Sequence, residues 1–198
     1  MRLKQTGIFE GRVQVRYSYG RFGWTRNGGK TWHGGIDLVA LDDKTIRMPY
    51  YKGKKITGKV TRARIVYNHN DKTWEWGWYV CVQLDANQTP DTVNFLYFCH
   101  CSCLLVSVGQ KVSSGDALAI MGQTGNAANG YDHTHLEARA TATGTGVDPT
   151  EYAGCANAVG IYGTQEVDEP TSDAAASTGK LQVITVGPVS QGDADAIL

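Results

Sequence analysis

The sequence predicts an all-β, mainly antiparallel protein, and three observations carry that expectation. Its apolar residues fall in short runs of five to ten, bounded by turn residues. No long stretch holds the 3.6-residue period of an amphipathic helix. The 24 glycines, ten tyrosines and five tryptophans suit short aromatic strands joined by frequent turns.

The elements follow in order. Residues 11–19 alternate weakly and predict a first strand, followed by glycine-rich loops at 20–23 and 27–35. Residues 36–41 form a short apolar strand. Residues 56–67 read as a strand with lysine and arginine on its wet face. The Asn68-His69-Asn70-Asp71 turn then leads into an aromatic strand at 74–84, which completes a hairpin. His69 is expected to be exposed there. Residues 95–105 are the most apolar strand. Tight turns at 108–112 and 113–116 precede a strand at 117–121, a Gly/Asn-rich loop at 122–132 and a last strand at 133–140. On this reading Trp74, Trp76 and Trp78 share one face, as an aromatic wall for a ligand or as core. Cys99, Cys101 and Cys103 also share a face. The C-x-C-x-C spacing matches structural zinc pairs poorly, so they are expected to be small buried hydrophobes. Five cysteines, an odd count, argue against a disulfide framework.

Composition excludes several classes. Nineteen basic residues balance nineteen acidic ones, so no global basic field points to nucleic acid or an acidic membrane. A hydrophobic content of 41% is too high for a disordered chain. The apolar stretch 93–108 is shorter than the roughly 20 residues of a spanning helix, so no membrane insertion is expected. Nothing sets an oligomeric state. After Cys155 the composition shifts. Residues 1–160 are expected to form the main domain, 161–180 an acidic Ala/Ser/Thr linker, and 181–198 the start of a second, truncated domain.

The chemistry-bearing residues are few. His133-Thr134-His135 puts two imidazoles on one face of a strand. His33-Gly34-Gly35-Ile36-Asp37 adds a third imidazole and a carboxylate at a strand mouth, with glycines that let the backbone approach closely. Catalytic zinc typically takes three N or O ligands and leaves a position for water, a need that two histidines and one carboxylate meet. Glu137 shares the parity of His133 and His135. It could orient a ligand or form an ordinary salt bridge.

These residues resemble the lysostaphin/LytM-type zinc endopeptidases. His33 to Leu38 is similar to the family's H-x(3)-D motif, and His133 to Arg139 to its H-x-H segment. Residues 96–130 resemble the stretch between them, and 148–152 its closing segment. The resemblance implies a β-sheet core with an open groove and Zn2+ held by His33, Asp37 and His135. It also implies His100 and His133 as catalytic histidines, and bacterial peptidoglycan as substrate. Gly34, Thr134 and Gly130-Tyr131-Asp132 depart from the family, which commonly has a bulky residue, an apolar residue and Gly-Pro there. The alternatives are a non-catalytic wall-binding or activating domain on the same fold, and a structural part of a phage tail or lysis assembly. No signal peptide is visible at the start; a signal removed before the first residue would look the same, and delivery by a phage or prophage is the other route to the wall.

Overall fold

The structure, a computed structural model, describes residues 4–163. The expected linker and second-domain segment therefore lie almost wholly outside the described residues. Among those residues the protein is mostly antiparallel sheet, and its one α-helix is the single turn Thr150–Ala153. No helix among them is long and apolar enough to cross a membrane.

Among the described residues eleven strands form one sheet. Its spine runs Lys111–Ser113, Thr57–Arg64, Trp78–Leu84, Phe95–Leu104, Thr134–Arg139, Ile36–Ala40, Val13–Val15 and Gly160–Tyr162. Strand Ala117–Met121 joins the far half of 95–104 to strand Thr45–Arg47. Alternation explains the two faces. Ile36, Leu38, Leu96, Phe98, Leu136 and Ala138 are fully buried in the main core. Between them, Asp37, Tyr97, Cys99, His135 and Glu137 turn to the opposite face. The register sets His135 directly opposite Asp37 on one side and Cys99 on the other. Tyr79, Cys81, Tyr97 and Cys99 form a second, smaller cluster there, with Trp74 and Trp76 packed on it. The central strands are thus buried on both faces, which is why they read as continuous apolar runs.

Three expectations are corrected. Residues 20–35 are not only loop: Gly23–Arg26 and Thr31–His33 form a hairpin that delivers His33. Trp74–Trp76 is a 3-10 turn, and strand begins only at Trp78. Gly77 has φ +62 and lies against residues 124–125, where a Cβ would come within 2.5 Å, so the three indoles do not share a strand face. The cysteines do not share a face either. Cys99 lies in the small cluster and Cys101 in the main core, while Cys103 is exposed.

The cause is His100, whose φ is +65 in the middle of its strand. The pairing with Trp78–Leu84 slips between Phe98 and Cys101. Strict alternation would send His100 into the core behind Leu96 and Phe98. The irregularity turns it to the other face and gives Cys101 the core position. A non-glycine residue in this region costs about 1–3 kcal/mol and is concentrated at functional sites.

Thr134 fills the position where an apolar residue is common. It is fully buried, and its hydroxyl has no hydrogen-bond partner among the described residues. An unsatisfied buried polar group costs about 1–3 kcal/mol, so Thr134→Val is expected to stabilise the protein by about 1–2 kcal/mol in denaturant unfolding. A destabilised variant would mean that the hydroxyl has a partner in solution.

Candidate metal centre

His33 ends one arm of the hairpin, Asp37 lies in strand 36–40, and His135 stands opposite it in strand 134–139. Gly35 makes the approach possible. A Cβ there would stand 2.4 Å from the Leu136 carbonyl oxygen and 2.7 Å from His135 Cε1. His33 Nε2 is 2.9 Å from His135 Nδ1 and 3.3 Å from Asp37 Oδ1, and His135 Nδ1 is 2.9 Å from Asp37 Oδ1. Ligands at about 2.0–2.1 Å around a tetrahedral ion stand about 3.3–3.4 Å apart, so these atoms need only small outward shifts to hold one. All three side chains are buried.

Neighbouring contacts set the ring states. His33 Nδ1–H donates to the Arg21 carbonyl at 2.8 Å, which leaves the Nε2 lone pair facing the cluster. His135 Nε2–H donates to Glu137 Oε1 at 2.8 Å, which leaves Nδ1 inward. Glu137 also pairs with Arg139, whose guanidinium lies 4.9 Å over Trp76 and 4.8 Å over Tyr97. Both contacts left open for Glu137 by the sequence are thus present. The aromatic turn clamps Arg139, Arg139 holds Glu137, and Glu137 orients His135.

Arg26 was not singled out from the sequence. Its Nη2 donates at 2.9 Å to both His33 Nε2 and Asp37 Oδ2. A cation therefore already reaches the lone pairs of the cluster, which shows the charge that this donor set attracts. The residues present fit a divalent ion of zinc type.

His100 and His133 flank the cluster, their ring centroids 4.7 Å apart. His100 Nδ1–H donates to the Thr124 carbonyl at 2.9 Å, and His133 Nδ1–H to the Tyr131 carbonyl at 2.8 Å. Each keeps an Nε2 lone pair. His133 Nε2 lies 3.8 Å from Asp37 Oδ1, and Tyr131 stacks on the His133 ring at 4.6 Å. Burial pushes the His100 pKa down to about 3, helped by the charges of His133 and His135 on protonation. Burial also lowers that of His133. Both rings are therefore neutral at pH 7 and able to accept a proton.

The other two groups are instead held in their charged forms. Burial disfavours the Asp37 carboxylate, but the hydrogen bond from His135 leads the contacts that outweigh it and hold the pKa well below the usual range. Burial also disfavours charged His135, yet hydrogen bonds to Asp37 and Glu137 push its pKa up to about 9. The folded state then binds a proton between pH 6.5 and 9 that the unfolded state lacks. This stabilisation is complete below pH 6.5 and lost as pH rises to 9. In metal-free protein Tm is expected to fall across that window, and zinc binding at pH 7.5 to release about one proton, read by calorimetry in buffers of different ionisation enthalpy. No proton release would contradict the assignment.

The five groups lie on the floor of an open cleft of about 530 Å³, whose walls include Tyr19, Trp76, Tyr131 and Asn126. A larger hollow of about 760 Å³ lies elsewhere, between Lys4, Glu10, Arg47 and Glu151, and contains no histidine. Among the described residues His33, Asp37 and His135 are the one such metal-ligating group. His69 is exposed, as expected, and stacks on Trp74.

An antiparallel β-sheet thus carries a buried His–Asp–His set, able to hold a metal ion, in an open cleft. The chain belongs to peptidase family M23, whose profile matches residues 32–149. By fold it is similar to the catalytic domain of the prophage-encoded M23 protein EnpA from Enterococcus faecalis, at 22% identity and TM-score 0.51 over 71% of this chain and 92% of that one. It is similar to LytU at 21% identity and TM-score 0.50, over 75% and 89%. The catalytic domain of lysostaphin from Staphylococcus simulans aligns at 22% identity and TM-score 0.48, over 69% and 89%. No curated protein matches by sequence.

Proposed function

We propose that the protein is a zinc-dependent endopeptidase that hydrolyses peptide bonds of bacterial peptidoglycan, on the extracellular or periplasmic side of the wall. One observation carries the reading. In a member of family M23, three ligand atoms and two imidazole lone pairs converge on the floor of one open cleft. His33 Nε2, Asp37 and His135 Nδ1 are the proposed ligands. A zinc ion held there supplies a Lewis acid that acidifies water and polarises a carbonyl. Asp37 offsets part of the added charge, and Glu137 fixes the ring of His135. Arg26 must give up its contact with His33 Nε2, because one lone pair cannot serve two cations.

His133 and His100 are the proposed catalytic histidines. Their neutral rings take a proton from the attacking water and return it to the leaving amine. As imidazolium either one can also stabilise the developing oxyanion. Tyr131 holds the His133 ring by stacking, and Thr124 holds His100 through its carbonyl. Residues 1–160 are proposed as the catalytic domain and 161–180 as a linker.

Mass spectrometry of digested walls of several chemotypes tests the reading. New peptide amino termini are expected. New reducing sugar ends without new amino termini would overturn it.

A further inference from the structure

Beside the catalytic cleft lies a second hollow of about 550 Å³, and the two share Asn126. Tyr67, Trp74 and Trp78 wall one side. Gln123, Asn126 and Asn129 wall the other. Tyr67 is 72% exposed and meets Trp78 in a T-shaped contact at 5.5 Å, so most of its ring is open to a ligand. His69 stacks on Trp74 at 4.1 Å and covers one face of that indole. The three carboxamides make no hydrogen bond to other described residues. Among the described residues no Asp, Glu, Lys or Arg lines this hollow, whereas Arg26, Asp37, Glu75 and Glu137 line the cleft next door.

This chemistry selects a ligand class. Without a lysine or arginine the hollow has no permanent cation to hold a phosphate or the carboxylates of an acidic peptide. A pyranose suits it. The axial C–H bonds of a sugar present a weakly positive apolar face to an aromatic ring, whose π-face is negative. Carboxamides both donate and accept, and so match hydroxyl and acetamido groups. The volume falls within the range of ligand pockets, about 300–1,000 Å³. The hollow is also rigidly tied to the catalytic cleft. The turn 74–76 packs on 125–127, and Gly77 and Gly125 approach too closely for any Cβ. Thr124 joins them: its hydroxyl accepts from Trp78 N–H at 2.9 Å, and its carbonyl accepts from His100.

We propose that the hollow between Tyr67, Trp74 and Trp78 and the 123–129 loop is a sugar subsite that binds uncharged N-acetylated hexosamine units of the strand carrying the peptide substrate. The inference rests on the peptidase reading of the adjoining cleft, but its test does not. Metal-free protein is titrated with N-acetylglucosamine tetramer and followed by NMR of the indole N–H groups. The resonances of Trp74 and Trp78 are expected to shift saturably. Tyr67→Ala is expected to weaken binding at least tenfold. It should slow digestion of intact walls while leaving hydrolysis of a sugar-free wall peptide unchanged. Asn129→Asp, which alters no buried group, is expected to weaken binding as well. Absence of shifts at millimolar tetramer, or binding untouched by both substitutions, overturns the subsite. Wall cleavage without sugar binding would then leave the peptidase reading standing. Sugar binding without any cleavage would sink the peptidase reading and keep the subsite.

Discussion

Asp37→Asn is expected to abolish zinc retention and wall hydrolysis together while the fold survives. Asp37 Oδ1 faces both His33 Nε2 and His135 Nδ1, and the carboxylate is held ionised although buried. Asparagine keeps the shape and removes the charge that a divalent ion requires. The loss in zinc affinity should exceed about a hundredfold, the upper end of what an orienting partner alone is worth. A second readout separates this role from mere damage. The raised pKa of His135 depends on Asp37, so in the metal-free variant it should fall from about 9. NMR titration of the histidine rings measures that shift. Full zinc occupancy in Asp37→Asn would remove Asp37 from the ligand set.

His133→Ala and His100→Gly are expected to behave differently, with zinc retained and hydrolysis reduced about 10²–10⁴-fold. Neither ring supplies a proposed ligand atom. Each keeps an Nε2 lone pair because a backbone carbonyl occupies its Nδ1–H. Glycine is the informative choice at position 100, because φ +65 suits it better than histidine. His100→Gly should therefore unfold no more readily than the parent and yet hydrolyse poorly. Zinc content by elemental analysis, unfolding midpoint and initial rate on one wall preparation make the comparison. Loss of zinc in either variant would place that ring among the ligands.

Much of this arrangement was legible in the sequence, for physical reasons. The strands at 36–41, 95–105, 117–121 and 133–140 were readable because alternation and apolar runs report burial. The cluster was readable because H-x(3)-D and H-x-H place side chains on predictable faces of strands, and the family resemblance supplied their order. Three features were hidden. The hairpin that delivers His33 is rich in glycine and exposed residues, so local composition reads as loop. The turn of His100 away from the core depends on a slip against a neighbouring strand, a relation that no local pattern encodes. Arg26 reaches the cluster across a hairpin, and an arginine among glycines carries no signal of that kind. The same slip divides the cysteines, which alternation alone would have kept together.

The most direct test of the account is a zinc titration of wall hydrolysis. The protein is stripped with a chelator, dialysed and reloaded in steps, and the release of amino groups from purified peptidoglycan is followed. The expected result is no release from the stripped protein and a linear recovery that saturates at one zinc per chain. Release that persists after stripping, or no release from any wall chemotype at full zinc occupancy, would contradict it.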